Sequence, residues 1–369
     1  MGMFDFFKGK KKNILNSNGK NEAYHENGQT KNDSIVSNNS DLVVDLDELE
    51  DIGIVSHYKG EPYTGFCQKK YDNGNLWKKA EFLNGLKNGI TQIYYESGQL
   101  KIEQNYIDDS LNGLQKKYYE NGQLMIEQNY IDGSLNGLQK EYHENGQLEL
   151  EDNFVDGHSN GLQKKYYENG QLKHEANYTD GSLNGLFKVF YENGQLGQET
   201  NFRNGKKNGL SKEYYKNGQL MIEANYTDEI LIGSYKGFYE NTQLMIEANY
   251  TDGSLNGLFK GFYENGQLKK EANFINGKKI GLYKEYHENG QLMSEANYTD
   301  GSLNGLYKAF YENGQLEFEG NFVDDSLSGL QKEYYENGQL KREANFKGGK
   351  INGLSKEYYE NGQMKYEGN

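Results

Sequence analysis

A 24-residue unit recurs thirteen times in this chain with no insertion or deletion between copies, and that period constrains the fold more than any other feature. Its marker is Tyr-x-Asn-Gly-Gln-Leu, whose glycine falls at Gly74, Gly98, Gly122, Gly146, Gly170, Gly194 and Gly218, then at Gly266, Gly290, Gly314, Gly338 and Gly362. Thr242 takes the position once. A second glycine keeps the same step nine residues ahead, from Gly65 to Gly353. A fixed short period is the signature of a repeat architecture, in which each unit leans only on its neighbours. The array covers 58–369. Residues 1–40 read as a flexible segment with a basic-aromatic start and an Asn/Ser/Lys-rich linker. Residues 41–57 read as an acidic, apolar cap that pairs with or covers the first edge of the sheet.

Each unit reads as strand, tight turn, strand and connector. In the third unit, 114–119 forms the leading strand, Asn121-Gly122 the turn and 124–130 the returning strand. Asn-Gly between alternating runs predicts a two-residue type I′ turn, which needs positive φ at both central residues. Thr242 is poorly suited to positive φ, so its turn is expected to be strained or rearranged. A lone hairpin is marginal in water, so each must be held by those on either side. The expected fold is all-β: a single-layer, extended, twisted antiparallel meander of tandem hairpins. A hydrophobic fraction of only 34%, much of it from 32 Tyr and 17 Phe, suits such a thin sheet. So does a single proline, Pro62, because proline cannot donate to a ladder.

This turn placement sets Lys116 directly across from Glu127, and eleven consecutive units carry that couple as far as Lys356/Glu367. Opposite charges facing across a strand pair favour one register. Alternation then puts Leu114, Lys116, Tyr118, Glu127 and Asn129 on one face. Tyr119, Leu124 and Tyr130 fall on the other, with three positions that vary between units: those of Gln115, Lys117 and Ile126. A constant frame with a variable face is how repeat proteins carry binding specificity; drift on a solvated face is the alternative.

Four units change together. Phe187-Lys188-Val189-Phe190, Tyr235-Lys236-Gly237-Phe238, Phe259-Lys260-Gly261-Phe262 and Tyr307-Lys308-Ala309-Phe310 replace Gln-Lys-Glu-Tyr. With Tyr283, the residues Phe187, Val189, Tyr235, Phe259 and Tyr307 make an apolar strip. Such a strip marks a partner site if exposed, or compensatory packing if each ring covers a smaller neighbour. Ile230-Leu231-Ile232, which replaces the polar connector in the unit of Thr242, is a second candidate contact.

Catalytic and cofactor chemistry finds no foothold. A net charge of −15 excludes a nucleic-acid binder, which needs a basic stripe. Cys67 is the only cysteine, so neither a disulfide framework nor a cysteine metal cage is expected. His143 and His287 stand where other units have Tyr and read as aromatic substitutes, as does His25; His57, His158 and His174 share no ligand spacing. The glycines punctuate turns, and no phosphate-loop run occurs. No cofactor, metal or catalytic residue is expected, and the chain does not read as an enzyme. No stretch approaches the roughly 20 apolar residues of a membrane span. Contact with a membrane is expected only through residues 1–12.

The runs Tyr-Tyr-Glu-Asn-Gly-Gln-Leu-Lys, as at Tyr335–Lys341 with its preceding Tyr334, and the opening Gly60-Glu61-Pro62-Tyr63-Thr64-Gly65 resemble the MORN-repeat variant of bacterial proteins often named YwqK-family antitoxins. The resemblance covers about 58–369. It implies an extended sheet of hairpins that mediates protein or membrane contacts, and the antitoxin label implies a cognate toxin bound by that sheet. MORN repeats also occur in plant phosphatidylinositol phosphate kinases, but nothing here resembles a kinase domain. The expected function is a cytoplasmic, non-catalytic interaction scaffold with an unidentified protein partner. A surface or host-directed protein and a membrane-apposed adaptor are the alternatives. An uncapped last strand, 363–369, is expected to favour end-to-end self-association.

Overall fold

The computed structural model describes residues 43–369, of which Val44–Asn369 forms one compact unit. The N-terminal segment, its membrane contact and His25 lie outside the described residues. Antiparallel hairpins follow one another in chain order, each strand pairing with the one before and the one after, in a sheet of 32 strand segments. The only helical element among the described residues is the short 3-10 turn Leu46–Glu48. This is the all-β single sheet that the period predicts. Ahead of the array, Val44–Asp45 pairs in parallel with Cys67 and Gln68 on the outer edge of the first hairpin. Val44, Tyr63, Cys67, Ala80 and Phe82 form a small buried cluster there. A separate three-stranded sheet, Glu50–Ile52, Val55–Tyr58 and Glu61–Pro62, lies beside it in sequence.

The register is the one the charges predict. Lys116 faces Glu127 within its hairpin and Glu103 on the other side. The same arrangement recurs to the end of the array, where Lys356 faces Glu367 and Glu343.

The turns differ from the prediction. The amide of Gly122 donates to the Tyr119 carbonyl at 2.9 Å and the Tyr119 amide donates to Gln123 at 2.8 Å. Gly122 has φ +87°, while Asn121 is not among the positive-φ residues. This is a three-residue loop, a type I turn closed by a left-handed glycine. The Asn121 side chain accepts from the Gln123 amide at 2.9 Å, which fixes the turn from inside. The type I′ turn sits instead in the connector: Asp132 and Gly133 have φ +48° and +79°, and Ile131 pairs with Ser134 across them. Asp-Gly therefore closes the two-residue turn, and Asn-Gly the longer one.

Two bulges per unit accompany this exchange. Met125 is an extra residue, because Lys117 pairs with Ile126 but Tyr118 pairs with Leu124. Leu124 is thus on the Tyr118 face, not on the Tyr119 face that simple alternation predicts. In the leading strand, residues 112–114 stand opposite Asn105 alone, between the pairs Leu111/Tyr106 and Gln115/Gln104. Gly113 takes φ +99° at this bend, and the Asn105 side chain donates to the Asn112 carbonyl at 2.8 Å. Bulges of this kind raise the local right-handed twist.

The Thr242 turn is strained but not rearranged. Its amide still donates to the Tyr239 carbonyl at 2.9 Å, with Thr242 held at φ +73°. Glycine suits this position for a second reason. A Cβ on Gly266 would lie 2.8 Å from Gln243 of the preceding unit, and one on Gly314 only 2.6 Å from Gln291. The left-handed conformation costs a non-glycine residue roughly 1–2 kcal/mol, partly offset by the roughly 0.5–1 kcal/mol of extra chain freedom that glycine loses on folding. Thr242→Gly should therefore stabilise this turn by about 0.5–1 kcal/mol. The measurement is hydrogen exchange of the residue-242 amide, which should slow about two- to fivefold; unchanged or faster exchange would contradict the strain.

Candidate partner-binding face

The repeated motif holds hairpin to hairpin. Tyr119 donates its hydroxyl to the Tyr142 carbonyl of the next hairpin at 2.8 Å. The same bond is made by Tyr71, Tyr95, Tyr167, Tyr191, Tyr215, Tyr239, Tyr263, Tyr311 and Tyr335. Where histidine replaces tyrosine, the ring takes over: Nε2 of His287 lies 3.0 Å from the Phe310 carbonyl, and that of His143 lies 3.4 Å from the Tyr166 carbonyl. The substitution predicted from sequence is thus functional as well as steric. The turn asparagine adds a second link, as from Asn265 to the Glu288 carbonyl at 3.2 Å. Only Asn217, which reaches into the Thr242 unit, finds a carboxylate instead, Glu240 at 3.3 Å.

One face of the sheet carries the charge ladder. Each lysine stands between two glutamates, and direct ion pairs close at Lys188/Glu175 (3.0 Å), Lys212/Glu223 (3.5 Å) and Lys356/Glu367 (3.5 Å). Tyrosines of the Tyr118 row reinforce it: Tyr214 donates to Glu199 at 2.9 Å and Tyr334 to Glu319 at 3.0 Å. Exposed pairs contribute little singly, about 0–1 kcal/mol. Their repetition fixes the register.

The other face is better covered, and its central row combines the positions of Gln115 and Gln128. Gln115 faces Gln128 in its own hairpin and Gln104 in the one before. The early part of this row is an amide ladder, with Gln115 donating to Gln104 at 2.8 Å and Gln128 to Gln115 at 2.5 Å. It continues to Asp152, which is 1% exposed and accepts from Ser159 and Gln163 at 2.7 Å each. Sequence reasoning missed this ladder; the signal was the joint variation of two positions that only the register shows to be neighbours.

Further on the row becomes aromatic. Phe187 lies between Ala176 and Thr200, and Tyr235 between Ala224 and Ala248. Phe259 faces Ala272, Tyr283 faces Ala296, and Tyr307 lies between Ala296 and Gly320. Each ring also meets an aromatic of the Tyr130 row edge-on at about 6 Å, as in Phe187/Phe202, Tyr235/Tyr250, Phe259/Phe274, Tyr283/Tyr298 and Tyr307/Phe322. Such pairs contribute roughly 0.5–1.5 kcal/mol beyond burial. The rings cover small neighbours and keep one side partly open, being half-buried throughout. Val189 lies beside the row, paired with Gln198 and His174. Ile230, Leu231 and Ile232 lie apart from the row, at the connector end, paired with Thr227, Tyr226 and Asn225. There the glycine that follows Ile232 has φ +64°, against +99° for Gly113, so replacing the connector asparagine changes the bulge.

Of the recesses that open beside the sheet, one is lined by charged residues and one by aromatic residues. The larger, about 440 Å³, is polar: Glu149 lies 3.6 Å from His143 and 3.5 Å from Lys165. Its charges answer one another. The smaller, about 230 Å³, opens on the aromatic row at Gly261. Among the described residues no group of three or more His, Cys, Asp or Glu side chains is placed to hold a metal. None of the helices there is long and apolar enough to cross a membrane.

Tandem hairpins stapled through one motif define a repeat scaffold. The chain belongs to the MORN repeat variant family, whose model matches eleven segments: 87–108, 111–132, 135–156, 159–180, 183–204, 207–228, 255–276, 279–300, 303–324, 327–347 and 351–369. The gap between 228 and 255 is the unit with Ile230–Ile232 and Thr242. Among curated proteins none matches the sequence. Among solved structures, the chain is similar to the crystal structure of TcdB2-TccC3-TEV at 12% identity and a TM-score of 0.16, covering 83% of this chain and 20% of that one. It is similar to TcdB2-TccC3 without the hypervariable C-terminal region at 9% identity and 0.17, covering 82% and 20%. For the Photorhabdus luminescens Tc holotoxin pore the values are 12% and 0.14, covering 81% and 18%. The chain spans about a fifth of the length of these structures.

Burial, with hydrogen bonds to Glu199 and Glu319, pushes the phenols of Tyr214 and Tyr334 up to about 12. Burial and Glu285 raise Tyr283 in the same direction. Unfolded tyrosine titrates near 10, so the stability from these phenols is complete below pH 10 and is lost as pH rises through about 12. The double variant Tyr214→Phe, Tyr334→Phe should therefore lose less of its urea midpoint than the parent between pH 10 and 12. An equally steep loss would show that these two groups do not govern alkaline stability.

Proposed function

We propose that this chain is a non-catalytic cytoplasmic scaffold that binds a partner protein across its aromatic row, in the manner of an antitoxin masking its target. One observation carries the reading. The constant residues of the repeat join hairpin to hairpin through the tyrosine and asparagine staples and the charge ladder. The residues that differ between units lie on the face opposite the charge ladder, where five half-buried rings stand in one row. Aromatic side chains are favoured anchors at protein interfaces because they bring large area at low entropic cost. The family match supports the scaffold; the antitoxin role goes beyond it.

The test is affinity purification of the tagged protein from its native cell, beside a variant with Phe187, Tyr235, Phe259, Tyr283 and Tyr307 all changed to Gln. Glutamine already fills this position in the chain, at Gln115, Gln139, Gln163 and Gln331, so the fold has a place for it. A stoichiometric partner is expected with the parent and not with the variant, both having the same circular dichroism. A small partner whose expression alone arrests growth would establish the antitoxin role. Recovery of the same partner by both proteins would remove the aromatic row from the interface.

A further inference from the structure

Beside the aromatic row lies a gap whose shape and charge indicate what fills it. At Gly261 the chain lacks the side chain that Lys117, Glu141 and Val189 place at this position. Its φ is not positive, so the backbone does not require glycine. A Cβ there would meet Lys270 Cγ at 3.3 Å and Phe259 Cε1 at 3.7 Å, so a small side chain could be accommodated. Instead a hollow of about 230 Å³ opens, lined by Tyr239, Met245, Ile246, Phe259 and Phe262. Gly237, one unit earlier, leaves no such room: Ile246 Cγ2 and Met245 Cε come within 2.7 and 3.1 Å of its absent Cβ. Those two side chains fill the space at Gly237 and form the wall at Gly261.

Lys269 and Lys270 stand at the rim of the hollow. Consecutive strand residues normally point to opposite faces, but Lys269 occupies the bulged position, so both reach the same side. Lys269 lies over the Tyr263 ring at 5.2 Å and Lys270 over Phe259 at 5.5 Å. Among the described residues neither ammonium has a carboxylate within 4.0 Å. Glu285 is the register partner of Lys270, yet it accepts from the Tyr283 hydroxyl at 3.1 Å. In a chain of net charge −15, these two adjacent cations close no ion pair and leave positive charge at the rim of an apolar hollow.

We propose that this hollow receives one apolar side chain from an acidic, extended segment of a partner protein, with carboxylates two residues to either side meeting Lys269 and Lys270. The proposal rests on the scaffold reading and names the chemistry of its partner. The hollow is smaller than the roughly 300–1,000 Å³ of sites for drug-sized molecules, which suits a single side chain. In an extended segment, residues two apart share a face at about 7 Å, so such acids lie on the same side as the anchor.

The test uses the full chain and three blocked, dye-labelled pentapeptides: Glu-Ser-Phe-Ser-Glu, Lys-Ser-Phe-Ser-Lys and Glu-Ser-Ala-Ser-Glu. The first should bind saturably with a Kd below about 1 mM and shift the methyl resonance of Met245. The other two should bind at least about tenfold more weakly. Gly261→Val, which fills the hollow, and Lys269→Glu with Lys270→Glu, which reverses the rim, should each weaken the first peptide at least about tenfold with circular dichroism unchanged. Equal binding of the three peptides, an unmoved Met245 methyl, or full affinity in Gly261→Val would overturn the proposal. So would octanoate displacing the peptide at equal or lower concentration, which would assign the hollow to a small amphiphile. A cellular partner lost from the five-glutamine variant but retained by Gly261→Val would remove the hollow while leaving the scaffold reading in place.

Discussion

The hydrogen bond from a turn tyrosine to a backbone carbonyl of the following hairpin is the interaction on which this array depends. Strand pairing alone joins hairpins along their middles and leaves the turn ends free to splay. The Tyr119 row closes that end at each junction from Tyr71 to Tyr335, at 2.7 to 2.9 Å from tyrosine and at 3.4 and 3.0 Å from His143 and His287. Donor and acceptor stand 23 residues apart, so an insertion within a unit would carry the hydroxyl past its carbonyl. The strict 24-residue step is thus a geometric requirement of the staple. It also explains why histidine is tolerated at His143 and His287, since an imidazole N–H donates in the same direction.

Each face then solves a different problem. The ladder of alternating lysine and glutamate keeps one surface solvated and makes register slippage costly, because a one-residue slip sends every charge to the other side. The opposite face has little thickness with which to build a core. It obtains a covered row by size matching where rings stand beside alanine, glycine or Thr200, and by amide pairing where Gln115 stands beside Gln104 and Gln128. Gln115, Gln128 and Asp152 satisfy their amides and carboxylate within the row. Buried polar groups without partners would be destabilising.

That division bears on function. Residues needed for the sheet are the same in nearly every unit, so they cannot distinguish one partner from another. Any discrimination between partners would come from what varies, and the variable positions are gathered on the better-covered face. The unit that departs most, with Ile230–Ile232 and Thr242, is also left unmatched by the family model between the segments 207–228 and 255–276. Its strand pairing and turn hydrogen bonds nevertheless continue the array.

The amino-acid sequence by itself determined the repeat, the hairpins, the Lys116/Glu127 register and the residues of the aromatic row, because periodicity and charge pairing are local or strictly periodic signals. It misplaced the type I′ turn: Asn121-Gly122 and Asp132-Gly133 carry the same short-range signal, and only strand pairing shows which loop has two residues and which has three. It put Leu124 on the wrong face because the bulge at Met125 exists only relative to the opposing strand. The tertiary structure decided what the two glycines beside the aromatic row do. Gly237 and Gly261 occupy the same position in successive units, but Gly237 pairs with Ile246 in its own hairpin and Gly261 with Lys270, so Met245 and Ile246 fill the space at one and wall an open hollow at the other. The difference lies in the side chains of the neighbouring strands, which pack according to shape and not according to distance along the chain.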